Sequence, residues 1–320
     1  MLQVSDGVRK YAVLAATAAL PTSWRVASRR ALLARFELAK ADRTDLLIIG
    51  HPKSGNTWLR VMISRLYQVR FGLPASVIVT SDELARRHPG VPRVTATNGH
   101  YSYEGAVGEK LAENAPDSPL RHKPIMLLAR NPCDIAVSWF FQFTKRQSRA
   151  KQELINHFIE HPVDRRTISM WDFVRHSDIG LPFLIDYLNG WEHNLQHLPN
   201  ALVVRYEDLR AEPGPTLKQI TTLMGESFDD AEIAEAVNFG SFDNLRQLES
   251  EGFFRQGGLK RRDPKDPNAF KVRRAKVNGY RDYFTPEQVA ELEELMASRL
   301  SPRFGYTAER GSIEPIAAQA

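Results

Sequence analysis

Residues 45–58 run Asp45-Leu-Leu-Ile-Ile-Gly50, His51-Pro-Lys-Ser-Gly55, Asn56-Thr-Trp58, and few folds accept such a run. Four consecutive aliphatic residues without polar alternation suit a strand buried on both faces, as in a parallel sheet. Gly50 and Gly55 then bracket a polar loop with G-x-x-x-x-G spacing. From 57 to 69 apolar side chains (Trp58, Leu59, Met62, Ile63, Leu66) return at helical spacing. A strand, a glycine loop and a helix in that order aim backbone N–H groups and a helix N-terminus at an anion.

The alternation continues along the chain. Residues 91–97, 124–129 and 201–206 read as further strands, with helices expected after Pro132, near Pro213, over 231–236 and over 286–300. The expected fold class is α/β: one domain, a parallel β-sheet flanked by helices in three α/β/α layers, with a P-loop-like phosphate-binding loop. The expected boundaries are an N-terminal helical segment packed on the domain (1–44), the domain itself (45–306) and a C-terminal tail (307–320).

Composition narrows the function classes. A 42% hydrophobic and 25% charged chain of 320 residues is ordinary for a globular protein. The single cysteine, Cys133, excludes an intrachain disulfide and a cysteine-rich zinc site. The net charge is only +5, yet residues 255–276 hold nine Lys or Arg against Asp263 and Asp266. Such local excess suggests an anionic partner, and Gly257, Gly258, Pro264 and Pro267 mark the stretch 250–280 as a mobile loop. The best apolar run, 11–20, is far short of the ~20 residues of a membrane span. Its flank is only weakly basic for a signal peptide, so a soluble cytoplasmic protein is expected, with peripheral membrane contact through the N-terminal helices left open.

The loop is not a Walker A motif, which requires Lys followed by Ser or Thr after the second glycine. Asn56 occupies the lysine slot, and the lysine sits inside the loop at Lys53. Pro52-Lys-Ser-Gly-Asn-Thr-Trp58 resembles the phosphate loop of the cytosolic-type sulfotransferases, Pro-Lys-Ser-Gly-Thr-Thr-Trp, with one departure at Asn56. Arg130-Asn-Pro-Cys-Asp-Ile-Ala-Val-Ser138 resembles that family's Arg-Asn-Pro-x-Asp-x-x-Val-Ser, and Tyr206-Glu-Asp-Leu209 its strand-end motif. Arg273-Arg-Ala275 followed by Phe284-Thr285 is a looser match to its late Arg-Lys-Gly and Phe-Thr segment.

The resemblance implies a donor, 3′-phosphoadenosine-5′-phosphosulfate (PAPS), with two separated anionic groups. Lys53, Ser54, Gly55, Asn56 and Thr57 would take the 5′-phosphosulfate. Arg130 and Ser138 would take the 3′-phosphate, a site where a charge-assisted bond is worth ~1.5–3 kcal/mol. The alternative for Arg130 is an ion pair with Asp134. By the same resemblance Arg273, Arg274 and Ala275 close over the nucleotide, Trp58 stacks on adenine, and Tyr206 and Phe242 frame it; for Phe242 a core position is an equal alternative. Lys53 would hold the bridging oxygen as charge builds on it, and Ser138 would bind that lysine at rest. Lysine and arginine supply the countercharge, so no metal is expected.

An acceptor hydroxyl needs a general base. The family's base lies in a Lys-Thr-His segment after the second strand, and this chain offers His100 there, without the lysine. Glu83 and Glu104 are the carboxylate alternatives, as in carbohydrate-modifying relatives. His51 reads as structural; His193 and His197 stand at i, i+4 without an evident third ligand. A small-molecule kinase and a non-enzymatic nucleic-acid-binding module are the rival readings. The first lacks a Walker lysine, and the second lacks aromatics interleaved with its basic residues. The expected partner is a small-molecule, lipid or carbohydrate hydroxyl acceptor, not nucleic acid, its pocket drawn from 71–90 and 140–185. There the aromatics Phe140, Phe141, Phe143, Trp171 and Phe173 would suit a hydrophobic alcohol or phenol, and the arginines at 146, 149, 165 and 166 an acidic or carbohydrate acceptor. A homodimer is one open option for the oligomeric state.

Overall fold

A computed structural model describes residues 6–78, 83–98, 105–157, 159–254, 259 and 276–306. In chain order the elements are α1 (Asp6–Ala16), α2 (Thr22–Ala41), β1 (Leu46–Ile49), α3 (Asn56–Phe71), α4 (Glu83–Arg87), β2 (Val94–Thr97) and α5 (Gly105–Leu111). There follow β3 (Ile125–Ala129), α6 (Pro132–Phe141), α7 (Arg149–Asn156), α8 (Met170–Arg175), α9 (Leu181–Leu195) and β4 (Ala201–Arg205). The chain continues through α10 (Tyr206–Ala211), α11 (Pro213–Leu223), α12 (Asp230–Phe239), α13 (Phe242–Ser250) and α14 (Pro286–Arg299).

The strands form one parallel sheet in the order β2-β1-β3-β4. Ile49 stands opposite Thr97 on one side and Leu127 on the other, and Ala129 opposite Arg205. Because side chains alternate along a strand, each strand feeds two cores. Leu47, Ile49, Ile125 and Leu127 pack with α6, α9 and α14 on one face. Leu46, Ile48, Met126 and Leu128 pack with α3, α11 and α12 on the other. All four residues of β1 are buried, which accounts for its unbroken aliphatic run. Every strand lies where the sequence placed one. The second is shorter than expected, because Pro92 cannot donate to a ladder and pairing starts beyond it.

The chain leaves β1 toward β2 and then crosses back to put β3 on β1's other side. That reversal opens a crevice at the carboxyl ends of β1 and β3, where ligands of open α/β sheets bind. The phosphate loop and Arg130 sit at those two ends.

The N-terminal helices attach through charge and a small core. Glu153 of α7 accepts hydrogen bonds from both Arg25 and Arg29 of α2. Val13, Val26 and Leu33 bury themselves with Leu154, also of α7. Tyr11 and Trp24 are exposed on the outer side. Among the described residues no helix is long and apolar enough to cross a membrane.

Candidate active site

The loop between β1 and α3 is shaped by two residues in the left-handed region, Lys53 (φ +86°) and Gly55 (φ +107°). For lysine such a conformation is strained, and strain of this kind concentrates at functional sites. Gly55 is required twice over. Its φ disfavours a side chain, and a Cβ there would stand 2.7 Å from Cδ2 of Tyr206. The loop therefore lies directly on the tyrosine ring, which only hydrogen at position 55 permits.

Gly55 is also the N-cap of α3, so no side chain caps the helix, and no acidic residue lies in its first turn. The first N–H groups of that helix are left for an external anion. The Ser54 hydroxyl and Asn56 Oδ1 are buried atoms without a hydrogen-bond partner, while Asn56 Nδ2 donates to the Gly50 carbonyl at 3.2 Å. A buried hydroxyl left unmade is costly, and a phosphoryl or sulfuryl oxygen would satisfy it. The loop thus fits an anionic group.

Arg130, at the end of β3, reaches across the crevice. Its guanidinium donates to the Lys53 carbonyl at 3.0 Å and to the Lys276 carbonyl at 3.3 Å. It also lies over the Tyr206 ring at 4.3 Å. The ion pair with Asp134 exists, at 3.7 Å longer than either hydrogen bond. Asp134 chiefly holds the returning chain, accepting from the backbone N–H groups of Asn278 (2.8 Å) and Tyr280 (2.9 Å). Burial raises its carboxyl above the usual range, with Arg130 and those N–H groups opposing. Glu207 plays a similar part, accepting from Asn131 N–H and the Tyr306 hydroxyl, with its own carboxyl also raised by burial.

The loop, Arg130, Asp134 and Tyr206 line one cleft of about 350 Å3. Of the residues expected from sequence, Lys53, Gly55, Asn56, Thr57, Trp58, Arg130, Ser138, Tyr206 and Phe242 all face it. Ser54 is fully buried within the loop. Trp58 is positioned by its indole N–H on the Gly240 carbonyl at 2.7 Å and meets Tyr206 edge-on at 5.7 Å. Gly240 is thus an anchor for the indole, and a Cβ there would strike Met62 at 2.6 Å. Phe242 is half-buried in the cleft wall and stands outside the buried cores.

Some expectations change. Among the suggested acceptor aromatics only Phe141 faces the cleft; Phe143 and Phe173 are core residues with Trp139, because helical spacing turns them away. Of the four arginines only Arg146 lines it. Glu83 is absent from the cleft and pairs with Arg87 at 2.8 Å. His51 is buried among Trp139, Phe183 and Tyr187. Burial, with Lys151 nearby, lowers its pKa to about 3. His193 and His197 do gain a third neighbour, Glu113, and all three are exposed. His100, Glu104, Arg273, Arg274 and Ala275 lie outside the described residues, as does most of the basic stretch 250–280. Asn98, at the end of β2, does line the cleft.

The sequence missed Arg60, Gln147, Lys151 and Arg210 in the same lining. Arg60 follows Asn56 by one helical turn, a spacing that pointed at it, and it donates to the Asn56 carbonyl at 3.1 Å. Burial lowers its pKa to about 10.

Comparison with known proteins agrees with this geometry. A cytosolic sulfotransferase of Arabidopsis thaliana, number 16, is 24% identical over 278 residues, 81% of this chain and 77% of that protein. The flavonol 3-sulfotransferase of Flaveria bidentis is 23% identical over 281 residues, 82% of this chain and 83% of that one. Among solved structures, mouse sulfotransferase SULT7A1 complexed with PAP has a TM-score of 0.51 at 21% identity, covering 82% of this chain and 89% of that one. Retinol dehydratase in complex with androsterone and inactive cofactor PAP reaches 0.54 at 15% identity, covering 88% of each chain. The profile described as "Sulfotransferase domain" matches residues 43–303, and the chain belongs to that family of enzymes.

Proposed function

We propose that this enzyme moves the sulfuryl group of PAPS to a hydroxyl of a small acceptor by in-line displacement. The observation that carries the reading is the convergence of the uncapped helix α3, Lys53 and Arg130 on one cleft at the β1/β3 crevice. Two anion-binding centres so close together suit a nucleotide with a 5′-phosphosulfate and a 3′-phosphate, both charged. PAP in the related structures and the cytosolic names of the relatives support the donor and a cytoplasmic location.

In this reading the N–H groups of residues 55–58 and the Ser54 and Thr57 hydroxyls hold the 5′ end. Arg130 and Ser138 hold the 3′-phosphate, with Arg273, Arg274 and Ala275 closing over it. Trp58, Tyr206 and Phe242 frame the base. PAPS supplies an activated sulfuryl group. Lys53 sets its ammonium against the bridging oxygen and offsets the charge that grows there as the S–O bond breaks. His100, two residues past the cleft-lining Asn98, takes the acceptor's proton as the new O–S bond forms; an unperturbed imidazole titrates near pH ~6.5, suited to that task.

The test is thermal unfolding with PAP, with ATP and Mg2+, or with neither. At 100 times Kd, PAP adds ~2.7 kcal/mol, about 5 °C of midpoint for a domain of this size. The expected result is a PAP shift that Arg130→Ala removes, with transfer abolished in Lys53→Ala and in His100→Ala. A shift with ATP and Mg2+ alone would replace this reading by a kinase. Transfer surviving in His100→Ala would remove that residue from the mechanism.

A further inference from the structure

Two histidines that no step of the transfer uses stand one helical turn apart at the end of α9. His193 lies in the last turn of that helix, and His197 follows just beyond it. Their rings are 5.3 Å apart, centroid to centroid, and inclined at 76°. The neighbouring sequence offers them no third group, but the fold supplies one. Glu113, two residues past the end of α5, comes alongside, its Oε2 3.6 Å from Nε2 of His193. One ring nitrogen from each histidine and one carboxylate oxygen of Glu113 all lie within 4.8 Å of one another. Among the described residues this is the one such group of His, Cys, Asp or Glu.

The backbone under these side chains is set in advance. Arg121 donates from Nη1 to the carbonyls of Leu111 (3.1 Å) and Ala112 (2.9 Å), the residues that lead into Glu113. From Nη2 it donates to the carbonyl of His197 itself at 3.0 Å. A single guanidinium thus ties the two chain segments together and holds the carboxylate beside the imidazoles. The polarity also suits a cation. The C-terminal end of a helix carries partial negative charge and favours a positive group beside it. Both histidines stand at that end, and the carboxylate adds a negative charge of its own.

An exposed His–Glu contact 3.6 Å long contributes little to stability by itself. Two imidazoles and a carboxylate, however, are the donor set of three-ligand metal sites that keep a further position for water. Metal–ligand bonds of ~2.0–2.2 Å put neighbouring ligand atoms ~3.3–3.6 Å apart in a tetrahedral site. Closing from 4.8 Å to that spacing takes only rotation of exposed side chains. Such a set suits Zn2+ and its neighbours in the transition series, whereas Mg2+ and Ca2+ take oxygen ligands.

We propose that Glu113, His193 and His197 bind a divalent transition-metal ion, Zn2+ or a close neighbour, which pins the end of α9 to the segment after α5. The site stands apart from the reaction and does not depend on the donor assignment. α9 runs on into β4, so its C-terminal end lies at the amino ends of the strands, opposite the crevice, and none of the three residues lines the cleft. The ion is a brace and takes no part in transfer.

The experiment is calorimetric titration of the whole chain, freed of metal and of any affinity tag, with Zn2+, and thermal unfolding of the same preparation. The expected result is saturable binding of one Zn2+ per chain, with the midpoint raised by about 5 °C at 100 times Kd. Mg2+ at the same concentration should give no shift. His193→Asn, His197→Asn and Glu113→Gln should each weaken Zn2+ binding at least tenfold. All three positions are exposed, so without Zn2+ these variants should unfold at the wild-type midpoint. His161→Asn is the control. That histidine also has a histidine neighbour, His176 at 6.2 Å, but the His176 ring nitrogens face the His161 carbonyl and the Asp178 N–H. Zn2+ affinity in His161→Asn should stay within twofold of wild type. Binding that His193→Asn and Glu113→Gln leave unchanged, a loss as large in His161→Asn, an equal shift with Mg2+, or no saturation below millimolar Zn2+ would each overturn the inference.

Discussion

Replacing Gly55 by alanine tests the geometry of the phosphate loop at its tightest point. Two costs add. The left-handed backbone at φ +107° disfavours any Cβ by about 1–2 kcal/mol. The new methyl would lie 2.7 Å from Tyr206 Cδ2 and 3.2 Å from Cε2, an overlap of the kind that costs about 1–3 kcal/mol in packed interiors. Tyr206 cannot swing aside freely, because it is buried between Arg130 and Trp58. The expected loss is about 2–5 kcal/mol in urea unfolding, with at least a tenfold loss of PAP affinity if the loop shifts to relieve the contact. A double-mutant cycle with Tyr206→Leu separates the two terms. In the leucine background Gly55→Ala should keep the backbone cost and lose the overlap, giving a coupling of about 1–3 kcal/mol. A Gly55→Ala cost under about 0.5 kcal/mol, or the same cost in both backgrounds, would refute the account of how the loop lies on the tyrosine.

Other perturbations follow from the same contacts. His51 is buried neutral with its pKa lowered to about 3, so the unfolded chain binds more protons than the folded one between there and about pH 6.5. Its contribution to stability is full above about pH 6.5 and fades as pH falls toward 3. The wild-type minus His51→Phe difference in unfolding free energy should therefore shrink on acidification, by up to about 1.4 kcal/mol per pH unit, and a pH-independent difference would contradict the burial. Trp58→Phe removes the indole bond to the Gly240 carbonyl and keeps an aromatic face, so chemical denaturation should show a loss of about 1 kcal/mol, with PAP affinity within threefold. Glu153→Gln leaves the buried Arg29 without its carboxylate, and calorimetry should register a loss of about 1–2 kcal/mol that 0.5 M salt diminishes in part.

What could be read from the chain and what could not divides along physical lines. Strands β1 and β3 were legible because a strand covered on both faces has no polar alternation to confuse with anything else. The place of the phosphate loop and Arg130 in the cleft was legible because they sit at strand ends beside glycines whose backbone requirements leave a mark at fixed spacing. The opposite wall left no such mark. Phe140, Phe141 and Phe143 are equally apolar, and which of them faces the cleft depends on the π-helical turn that follows, for which the run Gln142-Phe-Thr-Lys-Arg146 carries no local signal. Lys151 and Gln147 come to the cleft only because α7 is held where it is, and what holds it is distant in sequence.

That anchorage is the Glu153 carboxylate, bound to Arg25 and Arg29, 128 and 124 positions away. No described residue of α1 or α2 lines the cleft, yet the helix they grip carries Lys151 in its first turn. The amino-terminal helices therefore help to position one side of the cleft through α7, while the phosphate loop and Arg130 on the other side are held by the sheet. Substitutions at Val26, Arg29 or Leu33 would reach Lys151 through α7, at a cost in stability because all three are buried.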